Sequence, residues 1–140
     1  MSDSNAVPSF RDLMNSAAAD IPDKKKVGAG RYKFRCLFSA WEPEHTFRDG
    51  STGMQFRLQL QPVLNLDDMA DDLANAEPIS VSWTNRSPEF VQEELRNLIK
   101  AHGFRGPFAE AVAELKGRFY VGSVQLRDEN INIRKLMPAD

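Results

Sequence analysis

Two stretches of alternation constrain this chain most. In residues 31–41, Tyr32, Phe34, Cys36, Phe38 and Ala40 share one side of an extended backbone, with Arg31, Lys33, Arg35, Ser39 and Trp41 on the other. Successive side chains of a strand point to opposite faces, so this pattern predicts a half-buried strand. In residues 54–63, Met54, Phe56, Leu58 and Leu60 oppose Gln55, Arg57, Gln59 and Gln61. Paired, the two segments predict a sheet with an apolar inner face and a wet, cationic outer face.

With 140 residues the chain fits one domain with a real core. Its net charge of −2 argues against coating a polyanion through bulk charge. Distribution matters more: residues 24–63 hold eight bases against three acids, whereas residues 64–78 hold five acids and no base. Cys36 is the only cysteine, which excludes an intrachain disulfide. Its place on the apolar side of a strand fits a small buried hydrophobe better than a nucleophile. No apolar run approaches the ~20 residues that span a bilayer, and the opening residues lack the basic-then-apolar order of a secretion signal. The expectation is a protein of the reducing cytoplasm, without a membrane partner.

Residues 1–28 read as a flexible N-terminal segment and residues 29–140 as a single domain. Within the segment, Phe10, Leu13 and Met14 can share one side of a short helix capped by Ser9. Residues 42–53, with Pro43, Asp49-Gly50 and Thr52-Gly53, predict a long connection between the first two strands. In residues 64–78, Leu66, Met69, Ala70 and Leu73 recur at helical spacing among four aspartates, which predicts a short acidic amphipathic helix. A third strand covers residues 79–84. Ser87-Pro88-Glu89 then reads as a helix start, with Ser87 as cap and Phe90, Val91, Leu95, Leu98 and Ile99 as the buried face up to about Ala101. A shorter helix over 108–115 and two strands, 118–126 and 130–136, complete the chain. This order, three strands, helical connection, two strands, is that of a mainly β, five-stranded barrel of the oligonucleotide/oligosaccharide-binding (OB) type, with a generic α+β sandwich as the alternative.

Catalysis finds little footing. His45 and His102 lack metal-ligand spacing, Val27-Gly28-Ala29-Gly30 lacks the strand and helix that flank a phosphate loop, and the paired aspartates lack a calcium-loop pattern. The expectation is therefore no catalytic residue, no metal and no cofactor. Binding has better support, because Lys33, Arg35 and Arg57 are predicted to project from one face, joined by Gln59, Gln61 and the hydroxyls of Ser80 and Ser82. Single-strand binders combine such a cationic groove with aromatic stacking platforms. Trp41, by its parity, and Phe47 beside Arg48 are the predicted platforms, whereas Trp83 shares parity with Ile79 and Val81 and is predicted to be core.

Several turns and strand starts, Asp20-Ile21-Pro22, Gly30-Arg31-Tyr32-Lys33-Phe34, Thr52-Gly53 before Phe56-Arg57-Leu58, His102-Gly103-Phe104, Leu115-Lys116-Gly117-Arg118 and Asn130-Ile131-Asn132-Ile133, make residues 10–138 resemble bacteriophage-encoded single-stranded DNA-binding proteins. The resemblance implies an OB-like fold and a role in phage DNA replication or recombination, with single-stranded DNA and phage or host replication proteins as partners. It supplies no catalytic residue. Many such proteins recruit partners through a flexible acidic tail; none is expected after Pro138-Ala139-Asp140, and the acidic segment 64–78 is the expected substitute unless that function lies elsewhere. The competing expectation is a phage accessory or virion protein that works by protein docking, through Phe10, Leu13 and Met14 or through the acidic segment. In one form of it the acidic segment mimics DNA phosphates and inhibits a host enzyme.

Overall fold

The structure, a computed structural model, describes residues 14–15 and 24–139. Five strands form one antiparallel sheet: β1 (Gly30–Thr46), β2 (Thr52–Asn65), β3 (Ile79–Thr84), β4 (Phe119–Arg127) and β5 (Asn130–Pro138). Between β3 and β4 lie α1 (Glu89–His102), α2 (Phe108–Ala111) and a 3-10 turn (Val112–Leu115). The order across the sheet is β3-β2-β1-β4-β5. The chain is thus mainly β with the predicted element order, but the sheet is open. Because every neighbour pair is antiparallel, the two edge strands, β3 and β5, run parallel to each other. Among the described residues no helix is long and apolar enough to cross a membrane.

The sheet curls because its central strands are bulged. The β1–β2 ladder shifts register at Lys33/Phe34, Cys36/Phe38 and Glu42/His45, and each extra residue bends a strand and increases its twist. Curling brings Tyr32, Phe34, Phe56, Leu58, Leu60, Tyr120 and Val124 around one core, all nearly or fully buried. α1 covers this core with Leu98, its one buried residue. On β4, Gly122 faces inward, where a Cβ would press on Ile133 Cγ2 at 2.9 Å and Leu136 Cδ1 at 3.1 Å.

Several expectations are corrected. Residues 42–53 are not a long loop: β1 and β2 continue as a ladder to Thr46↔Thr52, leaving a turn at 47–51. No helix forms in 64–78, because its polar residues bond locally. Asn65 Oδ1 accepts the amides of Asp67 and Asp68, Asp68 Oδ1 that of Ala70 and Asp72 Oδ1 that of Ala74. Such side-chain turns compete directly with a helical ladder. Leu73 and Ala76 are buried and Met69 is exposed. Ser87 does not cap α1, since its hydroxyl accepts the Thr84 amide at 2.9 Å and Pro88 occupies the cap position. Phe90 is 55% exposed instead of core, because the sheet is open where it lies.

Residues 25–27 pack against the sheet. Lys25 makes a parallel bridge to Ala76, and Val27 is buried. Lys25 also pairs with Asp71 at 3.3 Å. Asn65 and Lys25 together hold the Asp71 carboxyl below its ordinary range, against the effect of desolvation. Met14 and Asn15 are helical and exposed, whereas Ser9, Phe10 and Leu13 lie outside the described residues.

α1 is tied to β5 by one ionic clamp. Glu94 Oε2 accepts from Arg134 Nε at 2.9 Å and from Arg134 Nη2, while Oε1 accepts the Lys135 amide at 3.0 Å. Burial pushes the Glu94 carboxyl up, but these donors outweigh burial and hold it below its ordinary value. A carboxyl depressed on folding stabilises the fold above its unfolded pKa of about 4.3 and loses that contribution as pH falls through the folded value. Glu94→Gln is expected to cost about 1.5–3 kcal/mol near pH 7. Chemical denaturation over a pH series from 7 downward checks this, and the gap between parent and variant is expected to narrow as pH falls through the lowered folded value.

Candidate nucleic-acid interface

The outer face of the sheet is built in rows, because side chains paired across neighbouring strands project to the same side. One row runs Phe38–Gln59–Ser80 and the next Ala40–Arg57–Ser82. Toward the other end, Arg35 is opposite both Gln61 and Phe119, and Lys33 is opposite Val121. Lys33, Arg35, Arg57 and Gln59 therefore share one surface, with Ser80 and Ser82 beside them. Among the described residues, Lys33, Arg35 and Arg57 enter no ion pair, whereas Arg31 is 3.8 Å from Asp67. Gln61 is committed locally, its amide donating to Ala76 O at 2.9 Å.

Two aromatic rings stand among these cations. Arg57 lies over Phe38, with the guanidinium carbon 5.4 Å from the ring centroid, and Lys33 Nζ is 4.8 Å from the centroid of Phe119. Phe38 is 44% exposed. A solvent-facing phenyl ring needs a reason, and proximity to a guanidinium supplies part of it through cation–π attraction.

Trp41 is not on this face. β1 carries one extra residue between Cys36↔Leu60 and Phe38↔Gln59, so Leu37 forms a bulge and the side chains from Phe38 to Glu42 change side relative to strict alternation. Ser39 consequently points inward, its hydroxyl donating to Val112 O at 2.6 Å, and Phe38 points outward. Trp41 pairs with Phe56 and lines a hollow of about 220 Å³ with Leu95, Ile99 and Phe108. Trp83 is buried as expected, stacked on Phe56 at 5.3 Å.

Phe47 and Arg48 sit in the β1–β2 turn. Phe47 is already packed: Arg86 covers its ring at 4.0 Å, His45 meets it edge-on at 5.1 Å, and Gly53 lies so close that a Cβ there would collide with the ring. Arg86 is held in turn by Asp49 at 3.2 Å. The Ser51 hydroxyl and amide, with Arg86, lower the Asp49 carboxyl to about 2. Phe47 thus offers less free ring than the sequence implies, while Arg48 is exposed.

Phe38, Phe119 and Arg86 were not among the expected site residues. The clue to Phe38 is the apolar run Cys36-Leu37-Phe38, which cannot alternate and so marks a bulge. Phe119 is legible from Tyr120, since neighbours in a strand take opposite faces. No protein-family model matches this chain, and comparison with curated proteins finds no relative.

Proposed function

We propose that this protein binds single-stranded DNA without sequence preference, through the outer face of a partly open OB-type barrel, and performs no catalysis. The observation that carries this reading is the set of cations Lys33, Arg35 and Arg57, which enter no ion pair among the described residues and are interleaved with the rings of Phe38 and Phe119. Cations follow a phosphate backbone, and rings stack on any base because every base has a π face. Gln59, Ser80 and Ser82 add neutral donors and acceptors that suit every base edge. The parallel arrangement of β3 and β5 supports the barrel, since pairing these two edges would close it. A role in phage replication or recombination follows from the sequence resemblance alone.

The test is a titration of labelled oligo-dT at two salt concentrations. Affinity is expected to fall steeply with salt; absence of binding at low salt removes this reading and leaves docking of another protein, with the hollow beside Trp41 as the surface. Phe38→Ala is expected to cost about 1–3 kcal/mol of affinity without changing the melting temperature. Trp41→Ala, by contrast, is expected to leave the affinity unchanged.

A further inference from the structure

We propose that the cleft between β3 and β5 receives one nucleotide of the bound strand, with its base turned inward. This rests on the single-strand reading above and adds a second, deeper part to that site. The cleft holds about 510 Å³, within the ~300–1,000 Å³ range of pockets for compact ligands. Its lining combines an apolar wall of Trp83, Phe90 and Val91 with the neutral polar groups of Ser82 and Asn132 and the cation of Arg127. A flat ring with a hydrogen-bonding edge, joined to an anion, matches all three features at once.

The charges and the exposed ring point the same way. Arg134 is engaged by Glu94, and its guanidinium also lies 4.7 Å from the Phe90 centroid. Arg127 enters no ion pair among the described residues. It is the cation left to meet a phosphate. Phe90, 55% exposed on the first turn of α1, is the ring left to meet a base.

Continuity with the outer face favours a nucleotide of the same strand. Ser82 stands in the row of Arg57 and also lines the cleft, so a backbone crossing Arg57 reaches the cleft at the next strand. An added peptide strand fits less well. Insertion between two edges needs about 9.6 Å, twice the ~4.8 Å spacing of paired strands, yet β3 and β5 approach within 8 Å between Cα atoms. That close approach leaves room for a compact group in the cleft better than for a continuous ribbon between the edges.

The experiment uses the full chain, isotope-labelled, titrated with oligo-dT while backbone amide shifts are followed. Shifts are expected on β1 and β2 and also at Phe90 and Asn132. The double variant Phe90→Ala/Arg127→Ala is expected to stay folded, keep its salt-dependent binding and lose about 5-fold or more in affinity. If β1 and β2 respond while Phe90 and Asn132 do not, and the double variant binds like the parent, the cleft inference fails and the outer-face reading stands. If no amide responds at low salt, the outer-face reading fails and takes the inference with it.

Discussion

Replacing Lys33, Arg35 and Arg57 together with alanine is expected to weaken single-stranded DNA binding about a hundredfold at about 0.1 M salt. Each phosphate contact to a single strand contributes about 0.7 to the slope of log K against log salt, so three lost contacts flatten the slope by about 2. A slope change of 2, carried across the decade from ~1 M to ~0.1 M salt, is the hundredfold loss. All three side chains project from the outer face and enter no ion pair among the described residues, so the melting temperature is expected to stay close to that of the parent. The paired measurement is an anisotropy titration over a salt series and a thermal melt. A folded triple variant with the parent's slope would show that these bases merely solubilise the sheet.

Leu98→Ala is expected to destabilise the fold by about 2–5 kcal/mol, the range for emptying a buried leucine site. Leu98 is 1% exposed and is the one buried residue of α1, flanked by the half-buried Val91 and Leu95. α1 is further tied to β5 by Glu94, which pairs with Arg134 and accepts the Lys135 amide, so emptying the Leu98 site removes the helix's apolar anchor and leaves these polar ties. The loss is expected in full by urea denaturation. Leu95→Ala, at the less buried neighbouring position, is expected to cost less, and an equal cost at the two positions would contradict this account of how α1 is anchored.

The strands were legible because period-two alternation is a direct imprint of a one-sided sheet. β2 from Phe56 onward and β3 keep their predicted parity, with Phe56, Leu58, Leu60, Ile79 and Trp83 all buried, whereas Met54 at the start of β2, expected on the apolar face, is 45% exposed. β1 kept it only as far as Cys36. A bulge adds a residue without adding a row, so Phe38 and Trp41 exchanged faces, and with them the expected stacking platform. The acidic segment failed for a different reason. Its apolar spacing was helical, but Asn65, Asp68 and Asp72 each had a nearby backbone amide to accept, and local turns won over the ladder. Ser87 likewise found the Thr84 amide before it could cap α1. The openness of the sheet was not legible at all, because pairing of β3 with β5 depends on distance in space and leaves no period in the chain.

The interruption of β5 has a bearing on how these molecules behave in a crowd. Lys135 adopts a left-handed backbone, with φ of 55°, beside the register shift against Val121 and Ser123, and its amide is taken by Glu94. Few residues other than glycine take that conformation readily, and here it breaks the row of free amides and carbonyls that a straight edge strand would present. Exposed edges recruit the edges of other copies and grow into fibres. A sheet left open along one seam can therefore stay dispersed at high concentration, because one of its two lips is bent, charged and already bonded to the helix behind it.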